Sequence, residues 1–321
     1  MITKKNQSVK KFSALVAVLF GGALLSLGFQ GILSAIGPSK NLEASLTEGT
    51  PTEIHSSTDP FQNIALEARA AYVFDLATKK VIFARNENEE LPLASVTKIM
   101  TALLAREHAS KKTVVTITED DLKAEGDSGL RAGESFLLGN LLDVMLLVSS
   151  NDAAHAVARF IGSSKEQKIS SDDARLHFVR LMNERAKAFG FTTMEFFNES
   201  GLDVNETKNG GYSSAREIAL LMTKLWEKYP ETLEITVRKN ARIYSEDKFA
   251  HILPNTNEGI AHIPGLLASK TGYTSLAGGN LAIIFDRGVG SPIVAVVLGS
   301  TYKGRFDDME KLTTMILKTL E

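Results

Sequence analysis

Three short groups of residues carry side chains that suit serine acyl transfer: Ser95-Val96-Thr97-Lys98, Ser149-Ser150-Asn151 and Lys270-Thr271-Gly272. A serine hydroxyl becomes a useful nucleophile beside a base, and on a helix a lysine three residues on lies on the same face one turn away, within reach of the hydroxyl oxygen. Free lysine, with a pKa of about 10.4, is a poor base at neutral pH, so burial or a nearby second cation has to favour its neutral form. Lys270 is a candidate for that cation. The start of the helix also leaves a backbone N–H free near Ser95, one of the two donors an oxyanion hole requires. No motif is selective by itself. S-x-x-K recurs at Ser8/Lys11, Ser245/Lys248 and Ser300/Lys303, and S-x-N at Ser39/Asn41, whereas Lys-Thr-Gly occurs once. Order and spacing carry the argument.

The elements needed to bring these groups together are legible. After Ser95 the residues Val96, Ile99, Met100, Leu103 and Leu104 follow the apolar stripe of an amphipathic helix, which puts Ser95 at its start. Ser149-Ser150-Asn151 falls between helical patterns at Leu141 to Val148 and Asp152 to Ile161. There Asn151 or Asp152 can cap the second helix, and the Ser149 hydroxyl can relay a proton while the Asn151 amide fixes a substrate backbone. Leu266 to Tyr273 reads as a strand on which Lys270 and Thr271 can bind a carboxylate and Gly272 allows close approach of a ligand. Two β-type hairpins, Ala71 to Phe74 with Val81 to Ala84 and Asn280 to Phe285 with Pro292 to Leu298, lie toward opposite ends of the chain. Further helical patterns run over Asp172 to Phe189, Ser214 to Tyr229 and Asp307 to Leu320. Strands from both ends with helices between them predict an α+β fold: one antiparallel sheet flanked by helices, with an all-helical lobe over about residues 118–230.

With 321 residues and 44% hydrophobic content the chain can bury a full core. A net charge of −2 gives no general attraction for nucleic acid. Cysteine is absent, which removes disulfides, thiolate metal sites and a cysteine nucleophile together. His55, His108, His155, His177, His251 and His262 form no H-E-x-x-H pattern, and no motif implies a metal or an organic cofactor.

Ahead of the folded part, residues 12–36 form an uncharged, mostly apolar stretch preceded by Lys4, Lys5, Lys10 and Lys11. It exceeds the roughly 20 residues that span a bilayer, and the lysines place residues 1–11 in the cytoplasm and the motifs outside. Two readings stand: an uncleaved signal-anchor, favoured by length, or a signal peptide, whose apolar region is typically about 7–15 residues, here with cleavage after Gly37 and release of the remainder. Residues 37–62, rich in Ser, Thr, Glu and Pro, read as a flexible linker, leaving residues 63–321 as the catalytic domain.

From roughly Leu66 to Leu320 the chain resembles the low-molecular-mass penicillin-binding proteins, the serine-type D-alanyl-D-alanine carboxypeptidases of the β-lactamase/transpeptidase-like superfamily. The resemblance rests on the three motifs with their flanks, Leu93 to Ala102, Ser149 to Ala154 and Lys270 to Gly278, and on Asn198-Glu199-Ser200-Gly201-Leu202-Asp203. It implies that Ser95 attacks the carbonyl between two terminal D-alanines of a peptidoglycan stem peptide with Lys98 as base, and that D-alanine leaves with a proton passed through Ser149. Water then hydrolyses the acyl-enzyme. It further implies that Asn151 binds substrate, that Lys270 and Thr271 take the terminal carboxylate, that the Ser95 and Tyr273 N–H groups form the oxyanion hole, and that β-lactams acylate the same serine. With about fifty residues after Lys-Thr-Gly, neither the further β-rich domain nor the amphipathic tail of many members is expected.

Two other functions share parts of this pattern. A class A β-lactamase adds a glutamate that activates the deacylating water. Glu195-Phe196-Phe197-Asn198 has that form, but its asparagine belongs to the carboxypeptidase-like segment, which predicts that Glu195 sits on an irregular or β stretch away from Ser95. A tethered, non-catalytic binder of peptidoglycan ends or β-lactams would keep the fold without turnover, and intact Ser95, Lys98, Ser149 and Lys270 argue against it.

Overall fold

The computed structural model describes residues 60–126, 128–163, 169–288 and 290–319. The apolar stretch at 12–36 and nearly all of the linker lie outside the described residues. Among the described residues no helix is long and apolar enough to cross a membrane.

The first alternating run folds into the expected hairpin, β1 (Ala70–Asp75) and β2 (Lys80–Arg85). Its turn is closed by the Asp75 carboxylate, which accepts from the backbone N–H of Ala77 and Thr78 at 2.8 and 2.9 Å. After β3 (Leu91–Pro92) a short 3₁₀ turn, Ala94–Thr97, runs directly into α1 (Lys98–His108). A small ladder, β4 (Val114–Thr116) with β5 (Ser135–Leu137), leads into α2 (Leu138–Leu147), α3 (Asn151–Gly162) and α4 (Ser171–Ala188). Then β6 (Glu195–Phe196) and β7 (Gly211–Ser213) pair with each other and β7 with β3, ahead of α5 (Ala215–Lys228). The hairpin β8 (Asn240–Tyr244) and β9 (Ala250–Pro254) precedes β10 (Leu266–Thr274), β11 (Gly278–Asp286), β12 (Pro292–Ser300) and α6 (Gly304–Thr319).

The main sheet has the order β10-β11-β12-β1-β2, antiparallel throughout. The two hairpins join because β1 pairs along β12, Ala70 opposite Leu298 through Asp75 opposite Ile293. Successive side chains of a strand face opposite sides. Leu281, Ile283, Phe285, Ile293, Ala295 and Val297 accordingly meet Met309, Leu312 and Ile316 of α6, while Ala282, Ile284, Val294, Val296 and Leu298 meet the larger helical side of the core. Both faces being covered, β11 and β12 read as nearly unbroken apolar runs. Each fully buried large side chain on the α6 stripe stabilises the layer by about 1.5–3 kcal/mol. The buried Asp308 carboxylate ties α6 to the start of β1, accepting from the backbone N–H of Glu67 and Ala68 and from the Ser300 hydroxyl at 2.8–2.9 Å. α5 lies against β1 and β12, so the helical stretch read as one lobe divides between helices that roof the sheet and the group formed by α2, α3 and α4.

Candidate active site

The turn that carries Ser95 is held in an unusual shape. Ala94 has φ +49°, a left-handed conformation that costs a non-glycine residue on the order of 1–3 kcal/mol and persists where its surroundings enforce it. Here they do. The Asn209 side chain accepts from Ala94 N–H at 3.3 Å, Asn280 Nδ2 donates to the carbonyls of Pro92 and Leu93 at 2.9 Å each, and Leu93 N–H donates to Gly211 O at 2.9 Å. β10 passes so close that a Cβ on Gly272 would lie 2.7 Å from Leu93 O and 3.1 Å from the amide nitrogens of Ser95 and Val96. The glycine of the third motif is therefore needed for packing against the first, where the sequence reading assigned its small size to ligand approach.

Lys98, at the start of α1, is fully buried. Its Nζ lies 2.9 Å from Ser95 Oγ, 2.7 Å from Asn151 Oδ1 and 2.7 Å from Ser200 O. A neutral amine has two N–H groups and one lone pair. With the amide oxygen and the carbonyl taking the two hydrogens, the lone pair is left for the Ser95 hydroxyl proton. Burial brings the Lys98 pKa down to about 7, opposed by the negative charge of Glu199. Of the two routes open to the sequence reading, burial or a second cation, burial is the dominant one.

Ser149 has φ +64°, a second left-handed non-glycine residue, and its hydroxyl accepts from Lys270 Nζ at 2.9 Å. Lys270 also donates to Thr271 O at 2.7 Å, and burial, with the charges of Lys98 and Arg305, holds its pKa well below that of a free lysine. The α3 cap is Ser150, whose Oγ accepts from Ala153 N–H at 3.0 Å, rather than Asn151 or Asp152. This frees Asn151 to bridge Lys98 to the Glu125 carbonyl, to which its Nδ2 donates at 2.7 Å. Thr271 Oγ1 is 2.6 Å from Thr256 Oγ1.

Ser95, Ser149, Thr271, Gly272 and Tyr273 line one cleft of about 330 Å³, with Lys98, Asn151 and Lys270 joined to it through the hydrogen bonds above. Thr256, Glu258, Tyr302 and Arg305 complete its wall and belong to none of the three motifs. Arg305, on the first turn of α6, is buried and donates to Gly272 O at 2.9 Å. The Tyr302 hydroxyl donates to Glu258 at 3.0 Å, and its ring meets Tyr273 edge-on with centroids 5.1 Å apart. A readable signal for Arg305 exists: it extends the stripe Met309, Leu312, Ile316 by one turn, a charged residue at a core position. Glu195 is exposed at the start of β6, opposite Tyr212, and does not line the cleft. Among the described residues no His, Asp and Glu cluster suited to a metal ion is found.

Over 260 residues the chain is 34% identical to the D-alanyl-D-alanine carboxypeptidase DacF of Bacillus subtilis, covering 78% of this chain and 62% of the relative, so it spans somewhat under two thirds of that protein's length. A crystal structure of a D-alanyl-D-alanine carboxypeptidase from Mycobacterium tuberculosis superposes with a TM-score of 0.69 at 27% identity, covering 79% of this chain and 92% of that one. Penicillin-binding protein D2 of Listeria monocytogenes, solved in its ampicillin-bound form, superposes with a TM-score of 0.66 at 27% identity over 79% of this chain and 98% of that one. The family model described as D-alanyl-D-alanine carboxypeptidase, peptidase S11, matches residues 55–301, and the chain belongs to that family.

Proposed function

We propose that the protein is a serine D-alanyl-D-alanine carboxypeptidase acting on peptidoglycan stem peptides. The observation that carries the reading is the buried Lys98 amine, 2.9 Å from Ser95 Oγ, with a pKa of about 7. Ser95 Oγ attacks the carbonyl carbon between the two terminal D-alanines while its proton passes to Lys98. The developing oxyanion is received by the backbone N–H groups of Ser95 and Tyr273. The C–N bond then breaks, and the departing amine of D-alanine takes a proton relayed through Ser149, which Lys270 holds in place. Lys270, Thr271 and Arg305 receive the terminal carboxylate, the kind of charge-assisted contact that fixes a scissile bond. Asn151 orients Lys98 and meets the substrate backbone. Water hydrolyses the acyl ester and restores Ser95. A β-lactam presents a strained amide and a carboxylate to the same groups and acylates Ser95 as an inhibitor.

We further propose that residues 12–36 anchor the chain as a single-pass helix, with residues 1–11 cytoplasmic, 37–62 a linker, and the catalytic domain from residue 63 on the outer side, at the cell wall. The test is a time course of intact mass for the purified chain with a penicillin, beside Ser95→Ala. A long-lived adduct on Ser95, absent from the variant, is expected. An adduct lost within seconds as the drug is consumed would mark a β-lactamase, and no adduct would leave a binding module.

A further inference from the structure

Glu199 lies close enough to Lys98 for their charges to interact and does not line the cleft. It is buried, and the segment it belongs to is clamped to α1 from both sides: Thr101 Oγ1 donates to Glu199 O at 2.6 Å and Lys98 Nζ to Ser200 O at 2.7 Å. Its carboxylate faces charged and titratable groups on every element packed around it. These are Lys98 on α1, His155 Nε2 on α3 at 3.3 Å, Arg175 Nε on α4 at 4.0 Å, and Asp121 in the turn before β5. Asp121 is itself bound by Arg159, and Arg175 by Asp172. Lys270 is close enough for its charge and that of Lys98 to repel.

Two details separate this carboxylate from a structural one. An arginine can only donate, so the 2.8 Å contact of Arg175 Nη1 with His155 Nδ1 makes Nδ1 the acceptor and leaves the imidazole proton on Nε2, toward Glu199. Burial and Arg175 bring His155 down to about 4, so it remains a neutral donor. Even so, Glu199 Oε1 makes no well-directed hydrogen bond among the described residues. A buried carboxylate with one oxygen unsatisfied is costly, and an apolar side chain would fill the space without that cost. Burial pushes the Glu199 carboxyl up, and the nearby charges of Arg175 and Lys98 oppose that by favouring its ionised form. Ionised, it supplies charge beside an amine whose hydrogen-bond partners, Ser95 Oγ, Asn151 Oδ1 and Ser200 O, are all neutral.

We propose that Glu199 is a positioning residue for the general base: it fixes the Ser200 carbonyl against Lys98 and supplies the buried counter-charge for the ammonium that forms when Lys98 takes the Ser95 proton. This rests on the roles proposed above for Ser95 and Lys98. The charge acts in two opposed ways. It stabilises the ammonium in the acylation transition state, and it keeps the resting amine protonated to higher pH. Glu199→Gln, which keeps the shape, should therefore lower the plateau acylation rate several-fold. It should also move the acid limb of the pH profile toward acid, by about one pH unit for a charge lost close to a buried amine. Glu199→Asp, which keeps the charge, should leave the limb near its wild-type position.

The experiment is the pH dependence of Ser95 acylation by a fluorescent penicillin for the full chain and both variants, with Tm measured alongside. A limb unmoved in Glu199→Gln, or an equal loss at all pH values in both variants, would overturn the proposal in favour of plain packing. If neither variant folds, the δ-carbon NMR shift of Glu199 in the wild-type chain decides: a carboxylate ionised across the pH range in which Lys98 titrates supports the counter-charge, and a carboxyl protonated there rejects it. Absence of any acylation in the wild type would instead overturn the reading of Ser95 and Lys98 themselves, and the proposal with it.

Discussion

Gly272→Ala tests whether the reactive turn is set by the strand that passes it. The added methyl would stand 2.7 Å from Leu93 O and 3.1 Å from the nitrogens of Ser95 and Val96. A tolerated carbon–oxygen contact begins at about 3.3 Å, so β10 and the turn must part by roughly 0.6 Å. All three atoms are backbone, so no side-chain rotation relieves the clash, and Leu93 O is also held by Asn280. Overpacking of this kind costs about 1–3 kcal/mol. For a domain of this size that corresponds to a fall in Tm of about 2–10 °C. A misplacement of about 1 Å can cost about 100-fold in rate, so a shift of roughly half that predicts about a 10-fold loss in acylation. Stopped-flow acylation with a fluorescent penicillin and differential scanning calorimetry measure both. Gly190→Ala is the control: its φ of +75° makes alanine strained there, but a Cβ meets nothing within 4 Å, so Tm should fall with acylation unchanged. A Gly272→Ala protein that acylates within twofold of wild type would refute the coupling of β10 to the nucleophile.

Other expectations follow from the same geometry. Lys98→Arg places a group that stays protonated where a neutral amine is required, so acylation should fall by about 100- to 10,000-fold, read as adduct formation by mass spectrometry. With Lys98 as the proposed base, its neutral amine is the active form in the wild type, so the acylation rate should rise as pH increases through about 7, where Lys98 loses its proton, and fall below it. Arg305→Ala should weaken turnover of a peptide ending in a free carboxylate by about 10- to 100-fold and that of its amidated counterpart much less, a split readable in kcat/KM. Ser150→Ala removes the α3 cap and should cost about 1 kcal/mol, visible as a lower midpoint in urea denaturation.

Much of the sheet and most helices are legible because their patterns are strong. Ile293 to Leu298 form a continuous apolar run of strand length, and Met309, Leu312 and Ile316 recur at helical spacing. The three motifs likewise stand in local sequence. What is not legible is what meets them from elsewhere. Asn280 is a buried polar residue beside the apolar run Leu281 to Phe285, a visible oddity, yet nothing local says that its amide holds the carbonyls before Ser95. The short strands β3, β6 and β7 carry two or three residues each, too few for a period, and their pairing is fixed by the walls around the Ser95 turn. The sequence pattern puts the cap of α3 at Asn151 or Asp152, one or two residues late, because Ser150, Asn151 and Asp152 are all good caps and nothing local shows that Asn151 is engaged with Lys98.

The order of the sheet has a consequence for how the molecule comes into being. β1 leaves the ribosome early and can pair with β2 at once, but its inner partner is β12, almost at the other end of the chain. Lys270 reaches Ser149 across 121 residues of sequence. Pairings of such long range close late, since the intervening chain must be ordered before they return any stability. Ser95 and Lys98 are thus synthesised together within a single turn, but the wall that enforces their geometry and the second lysine arrive only with the last strands of the sheet. A nascent or truncated chain lacking β10–β12 carries Ser95 and Lys98 without the packing that arms them, so reactivity toward an acyl donor appears only with completion of the sheet.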